Sequence, residues 1–197
     1  MIAKYAGLAG EGHRVTDSPL IAEMVSSYRR YQRGFGDIIL HANYDDEFHG
    51  VLEYAIAKLG IRSVELKFGQ AAKGIQGMGR VYKIEDALRF KALGYIVLPD
   101  PEDLAVAAAF KKGIGPVFEK IGKLPMWNPE DLVRRVAQLR ALGAERVCFK
   151  TGPFDPRDIA AILEIASHSG VDLVTLDGAG GGTGHSTVKM MKEWGMP

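Results

Sequence analysis

The residues best suited to chemistry stand where apolar, strand-like runs stop. Asp177 follows the apolar run 171–176, and glycines then occupy positions 178, 180, 181, 182 and 184. Glycine has no side chain and readily takes positive φ, so backbone N–H groups in such a turn can approach an anion or a flat ring closely. The segment matches neither a dinucleotide-binding fingerprint nor a P-loop. It therefore predicts either a loop that holds a phosphate or cofactor, or an ordinary loop.

Two earlier apolar runs also end in polar residues. The run 61–68 leads into a second glycine-rich stretch that contains Gln70 and Lys73, and the run 144–150 ends in Lys150. Parallel α/β folds build their sites at the carboxyl ends of the strands. The residues expected to share that edge are Lys67, Gln70, Lys73, Lys150 and Asp177.

Helical and strand-like segments alternate along the chain. Capping residues, apolar stripes and terminal glycines predict helices that begin near Ser18, Asp46, Ile84, Leu104, Asn128 and Asp155. The helix that begins at Asp46 is expected to run to Leu59, and a short strand is expected from Ile38 to Leu40. Residues 113–128 are expected to be irregular.

The fold class predicted from this alternation is α/β with a parallel sheet. The strands, 171–176 among them, are apolar enough to be buried on both faces. Helices that enter strands through Leu-Gly favour a (β/α)8 TIM barrel over an open doubly wound sheet. A full barrel needs about 250 residues. With 197 residues, the chain is expected to be one domain, 1–197, that lacks the last βα units of the barrel.

The composition argues against several classes of function. Lys+Arg number 25 and Asp+Glu 24, so no charge excess favours nucleic acid or an anionic membrane. The single cysteine, Cys148, excludes a disulfide within the chain and is expected to be buried in a strand. His13, His41 and His185 share no metal-ligand spacing, and His41 is the one at a strand end. The expectation is a cytoplasmic protein without a bound metal or a membrane segment.

Taken in order, the loops resemble the FMN-binding domain of the glutamate synthase family. Residues 10–12 (GEG) are similar to that family's early Gly-Glu-Gly-Gly loop, and residues 65–73 (ELKFGQAAK) to its strand leading into Gln-Gly-Ala-Lys. Residues 147–150 (VCFK) and 177–184 (DGAGGGTG) are similar to its Val-Lys strand and the Gly-His-Asp-Gly-Gly-Thr-Gly segment after it. Order and approximate spacing agree over nearly the whole chain.

The resemblance implies an FMN-dependent (β/α)8 barrel in which 2-oxoglutarate and ammonia, condensed to an imine, are reduced to glutamate. It implies a flavin site formed by Gln70, Lys150, Asp177, Gly181, Gly182, Thr183 and Gly184. Lys150 would stabilise the negative charge of the reduced ring. Lys73 and Arg89 would hold substrate carboxylates, and Glu11 would be a proton donor or ammonium ligand.

The chain departs from the family pattern at positions that would contact substrate. His13 and Arg14 replace a glycine and an acid, and Gly79 replaces a glutamine. Two alternatives therefore stay open: a flavin- or phosphate-binding barrel enzyme for a different 2-oxo or 2-hydroxy acid, and a non-catalytic subunit. The implied partners are a glutaminase or electron-donor subunit and a second copy of the chain.

Overall fold

The computed structural model describes residues 14–68, 76–122 and 128–178, and these form two compact units. The first unit contains residues 14–68 and 128–178, and the second contains residues 76–122. In the first unit the elements are α1 (Pro19–Tyr31), β1 (Ile39–Ala42), α2 (Tyr44–Phe48), α3 (Val51–Leu59), β2 (Ser63–Lys67), α6 (Pro129–Ala141), β6 (Arg146–Thr151), α7 (Pro156–Ser169) and β7 (Leu173–Leu176).

The strands of the first unit form a parallel sheet in the order β1-β2-β6-β7. Helices connect them along the chain, which confirms the predicted α/β class with parallel strands. This arrangement is compatible with part of a (β/α)8 barrel. Closure into a barrel stays a prediction.

The two faces of this sheet differ in chemistry. Side chains alternate between the faces of a strand, and Leu40, Leu66 and Phe149 lie on the face that joins a single hydrophobic cluster. That cluster also takes its buried residues from α1, α3, α6 and α7. The helices thus supply one apolar layer on one side of the sheet, as the outer layer of a barrel would.

Strand β7 differs from its prediction. It lies at the edge of the described sheet, where Leu173 is 49% and Leu176 51% exposed. The prediction that this strand is buried on both faces is therefore wrong. The apolar residues of this strand predicted burial from composition alone. Composition does not show that the strand lies at the edge of the described sheet, where it has a neighbouring strand on only one side.

Side-chain caps start the helices where the sequence predicted. Ser18 accepts a hydrogen bond from the Ile21 N–H through Oγ, and Asn128 accepts one from the Asp131 N–H through Oδ1. Asp155 accepts one from the Arg157 N–H. A cap of this kind satisfies a backbone donor that has no partner within the helix, and each is worth about 1 kcal/mol.

The predicted helix Asp46–Leu59 is instead two helices, α2 and α3, separated at Gly50. Gly50 has φ +70°, and a Cβ built there would lie 2.7 Å from Arg14 Nη2. A left-handed residue cannot continue an α-helix, and glycine takes this conformation without strain. Gly50 itself was the local sign of the break.

An ion cluster joins the helices on the apolar side of the sheet. Arg135 of α6 donates to both carboxylate oxygens of Glu47 at 2.9 and 3.1 Å, and to Glu53 at 3.1 Å. Arg14 donates to Glu53 at 2.9 Å. The side chains of Arg135 and Glu47 are only 12% and 9% exposed. We refer to Arg14, Glu47, Glu53 and Arg135 as the helix-side cluster.

The second unit has a different architecture. Its elements are β3 (Gln76–Val81), α4 (Ile84–Ala92), β4 (Ile96–Leu98), α5 (Leu104–Lys111) and β5 (Phe118–Gly122). The strands form an antiparallel sheet in the order β3-β5-β4. Two predictions are wrong here: the sheet is not parallel throughout the chain, and part of 113–128 is a strand.

Candidate functional site

The face of the parallel sheet opposite the hydrophobic cluster carries a row of polar side chains. Paired residues of parallel strands share a face, and the register pairs His41 with Glu65 and Lys67 with Lys150. Thr175 of β7 pairs with Lys150 in turn. These positions alternate with the core residues of the same strands. Side chains from four consecutive strands of the sheet therefore meet on one surface.

Glu65 is the centre of this row. Its Oε1 lies 2.6 Å from His41 Nδ1, and its Oε2 accepts a hydrogen bond from the Thr175 hydroxyl at 2.9 Å. The Glu65 side chain is 14% exposed and that of His41 36%. Both carboxylate oxygens are thus engaged, by β1 on one side and β7 on the other.

The surroundings of Glu65 favour its charged form. Burial by itself raises the pKa of Glu65, but the hydrogen bonds from His41 and Thr175 and the electrostatic effects of His41 and Lys150 outweigh it. The net pKa is lower than the usual value of 4.5. Glu65 is therefore an ionised carboxylate at neutral pH.

Lys150 and Asp177 form an ion pair at the carboxyl edge of the sheet. Lys150 Nζ lies 3.3 Å from Asp177 Oδ1, and the side chains are 20% and 17% exposed. The Asp177 N–H donates to the Thr151 carbonyl at 2.9 Å, which fixes the residue beside the end of β6. The structure thus brings together two residues that the sequence placed at the same edge. We refer to His41, Glu65, Lys150, Thr175 and Asp177 as the sheet-face cluster.

Cys148 lies in register with Glu65 and is fully buried, as expected from its apolar surroundings. Burial raises the pKa of the Cys148 thiol, and the neighbouring Glu65 charge raises it further. A thiol in this state is protonated at neutral pH and is a poor nucleophile.

Arg89 lies in the second unit, on α4, and donates to Asp86 of the same helix at 3.0 Å. Both side chains are partly exposed, at 49% and 41%. An ion pair of this kind contributes about 0.3–0.5 kcal/mol and leaves the guanidinium accessible. Its predicted contact with a substrate carboxylate stays a prediction.

All the remaining predicted site residues lie outside the described residues. They are Glu11, Gln70, Lys73, Gly181, Gly182, Thr183 and Gly184. Their implied roles stay predictions.

Two of the departures from the family pattern lie within the described residues. Arg14 donates to Glu53 in the helix-side cluster and lies against Gly50, so this base has a structural partner. Gly79 is part of β3 and pairs with Lys120 of β5. A strand position without a side chain cannot supply the amide of the glutamine that the resemblance expects there.

Sequence reasoning missed the pairing of His41 with Glu65 and Thr175. One local sign of their shared face was present in the sequence. Each of these residues has apolar neighbours on both sides, which is the alternation expected of a strand with one polar face. Glu65 was read only as part of a motif and His41 only as a histidine at a strand end. Which strands are neighbours in the sheet, and in which register, is not encoded locally.

Two negative findings apply to the described part of the chain. Within residues 14–68, 76–122 and 128–178, no three histidine, cysteine or carboxylate side chains are grouped as metal ligands would be. Over the same ranges, no helix combines the length and apolarity needed to cross a membrane.

Comparison with known proteins gives one match. Residues 123–197 match the model of the family described as the conserved region in glutamate synthase. This confirms the resemblance over a span that contains Lys150, Asp177 and the glycine-rich residues 178–184. The match indicates a glutamate synthase-like function of the oxidoreductase class. Neither a curated protein nor a solved structure matches the chain.

Proposed function

We propose that this chain forms the flavin-binding part of an FMN-dependent oxidoreductase of the glutamate synthase type. The proposed reaction reduces the imine of 2-oxoglutarate and ammonia to glutamate. The observation that carries the proposal is the position of Lys150. It lies within the matched residues, at the carboxyl edge of a parallel sheet, on the polar face of that sheet. This is the edge at which parallel α/β folds build their sites.

The chemistry of the polar face fits a flavin. The amino group of Lys150 is 3.3 Å from a carboxylate, yet its side chain is still 20% exposed, and Thr175 lies in register beside it. A fixed cation and a hydroxyl suit the oxygen-rich edge of a ring that becomes negative on reduction. When bound, FMN would supply the hydride. We propose Lys150, Gln70 and the backbone of Gly181, Gly182 and Gly184 as the groups that hold it.

The substrate contacts follow from the same resemblance. Lys73 and Arg89 would bind the carboxylates of the 2-oxo acid, and Glu11 would bind ammonium or transfer a proton. A glutaminase subunit would supply the ammonia and a separate subunit the electrons. Both partners are part of the proposal, as is self-association of the chain.

The test begins with FMN binding to the purified 197-residue chain. We expect quenching of flavin fluorescence on titration and a perturbed visible spectrum. Lys150→Met keeps most of the side-chain volume and removes the charge. With the flavin reduced chemically, its reoxidation by 2-oxoglutarate and ammonia is expected to slow about 10²–10³-fold, the usual cost of losing a group that stabilises developing charge.

The matched control is Lys58→Met, on the exposed side of α3. It is expected to leave both FMN affinity and reoxidation unchanged. Failure of the native protein to bind FMN would contradict the cofactor assignment. Equal reoxidation rates for the Lys150 and Lys58 variants would contradict the role of Lys150.

A second candidate keeps the flavin and changes the acid that is reduced. It is favoured by Gly79, which lies in strand β3 without a side chain to contact 2-oxoglutarate. Reoxidation assays with a panel of 2-oxo acids, with and without ammonia, distinguish the two. Turnover that is faster with another acid than with 2-oxoglutarate would favour this candidate.

A further inference from the structure

The proposed function leaves the most tightly bonded group of the polar face without a role. His41 and Glu65 lie 2.6 Å apart on adjacent strands, and Thr175 holds the other Glu65 oxygen from a third strand. Three strands thus contribute to the position of one imidazole. The face that carries them is the one that bears Lys150, not the one that packs against the helices.

The hydrogen bonds determine which nitrogen of His41 can exchange a proton. Glu65 is an ionised carboxylate, so both of its oxygens can only accept. His41 Nδ1 must therefore be the donor to Oε1, whatever the charge of the ring. In neutral His41 the hydrogen is thus on Nδ1, and Nε2 carries the free lone pair. Nε2 is the atom that gains or loses a proton.

We propose that His41 is the general acid of the site, acting through Nε2, and that Glu65 is the positioning residue that fixes its tautomer. This inference rests on the proposed function. His41 and Lys150 lie on the same face, two strands apart, and Lys150 is two residues further towards the carboxyl edge. Two strand spacings combined with two residues of rise place their Cα atoms about 12 Å apart. The space between this cation and this imidazole is the proposed position of the 2-oxo acid.

The step assigned to His41 is loss of water from the adduct of ammonia and the 2-oxo acid. The Nε2–H of the imidazolium gives its proton to the hydroxyl of this carbinolamine. The C–O bond breaks with its electron pair on oxygen, which leaves as water. The nitrogen lone pair forms the C=N bond. Iminium cation and neutral His41 result, so charge and atoms balance, and no oxidant or reductant is consumed.

A structural ion pair is the competing explanation for His41 and Glu65. The helix-side cluster is an example of a structural ion pair in this protein, because Arg135 and Glu47 join two helices and their side chains are only 12% and 9% exposed. His41 is 36% exposed and lies on the polar face of the sheet. A residue that only held strands together would not need an accessible ring.

The first test measures the tautomer and needs neither substrate nor cofactor. Two-bond ¹H–¹⁵N spectra of the full chain with labelled histidine are recorded above pH 8, and His41→Gln assigns the signal. The expected result is hydrogen on Nδ1 in the native protein and a mixture of tautomers in Glu65→Gln. Hydrogen on Nε2 in the native protein would overturn the inference, whatever the substrate proves to be.

The second test separates binding from chemistry. With the flavin reduced chemically, His41→Gln is expected to slow its reoxidation by 2-oxoglutarate and ammonia about 10²-fold, the size usual for general acid catalysis, with unchanged affinity for FMN. The control is His168→Gln, because His168 is exposed on α7 and bonds only its own helix, at the Glu164 carbonyl. A reoxidation rate within threefold of the control would overturn the inference. An inactive native protein with hydrogen on Nδ1 would instead overturn the proposed function and leave the assignment of the exchanging nitrogen in place.

Discussion

The first unit contains two charged clusters on opposite sides of the same sheet, and they are built on different principles. The helix-side cluster joins three helices through Arg135, and its central side chains are 12% and 9% exposed. The sheet-face cluster joins strands through Glu65, and His41 within it is 36% exposed. In the helix-side cluster the central pair is almost fully covered, and only Arg14 at its edge is well exposed, at 60%. The sheet-face cluster presents an imidazole and an ammonium group on an accessible face.

The energetic cost of each cluster explains this difference. Taking two charges out of water costs several kcal/mol for each ion, and only good geometry and further hydrogen bonds offset that cost. Arg135 meets the requirement with a bidentate contact to Glu47 and a third bond to Glu53. His41 and Lys150 keep part of their hydration. A cluster that has to exchange protons or bind an anion needs that access.

The largest effect that distinguishes the helix-side cluster from the sheet-face cluster is expected for Arg135→Ala. Removal of this guanidinium leaves Glu47, whose side chain is 9% exposed, without its counter-ion in a helix interface. We expect a loss of about 3–5 kcal/mol in the free energy of unfolding, the usual cost of an uncompensated buried charge. Urea denaturation at pH 7 measures it.

The neighbouring residue provides the control for that experiment. Arg134 is 64% exposed and pairs with Asp131 on its own helix, so Arg134→Ala is expected to cost less than about 1 kcal/mol. Similar losses in the two variants would mean that the helix-side cluster stabilises no more than a surface ion pair does.

The pH dependence of stability tests Glu65. Its folded pKa is lower than 4.5, so the ionised side chain contributes stability that is fully present above about pH 4.5 and is lost as the pH falls through the folded value. Glu65→Gln is expected to cost about 1–2 kcal/mol at pH 7, the size of a hydrogen bond to a charged group. That cost should shrink as the pH is lowered below 4.5.

Unfolding free energies at pH 3 and pH 7, compared between Glu65→Gln and the native protein, provide the measurement. Glu145→Gln is the control, because the Glu145 side chain is 75% exposed. A cost for Glu65→Gln that is the same at both pH values would show that the charge of Glu65 does not stabilise the fold.

The smallest effect on stability is expected for Lys150→Ala. Its ion pair with Asp177 is longer, at 3.3 Å, and neither side chain is fully buried. We expect a change of about 1 kcal/mol or less in the free energy of unfolding at pH 7, against Lys58→Ala as control. A loss as large as that of Arg135→Ala would make Lys150 a structural residue and would remove the contrast between the two clusters.

Much of the first unit was predictable because its signals are local. Ser18, Asn128 and Asp155 start helices by bonding backbone N–H groups one turn away, and such contacts can be read from neighbouring residues. The alternation of helices and strands followed, and with it the parallel sheet. The shared edge of Lys150 and Asp177 was predictable for the same reason, since both follow strands of one sheet.

The rest depends on contacts between distant parts of the chain. The contact of Arg14 with Glu53 spans 39 positions. Strand β5 was missed because Gly113, Gly115 and Pro116 precede it and Gly122 ends it, a pattern that resembles a loop. It becomes a strand by pairing with β3 and β4. The contact of Glu65 with Thr175 spans 110 positions. No local pattern specifies such neighbours.

The buried thiol of Cys148 can serve as a probe of local opening in the parallel sheet. It is the only cysteine in the sequence, it is fully buried, and its raised pKa keeps it unreactive while β2 and β6 remain paired. A thiol reagent added to the native protein can therefore label it only when the surroundings of Cys148 open. The labelling rate would measure how often that opening occurs in the absence of denaturant.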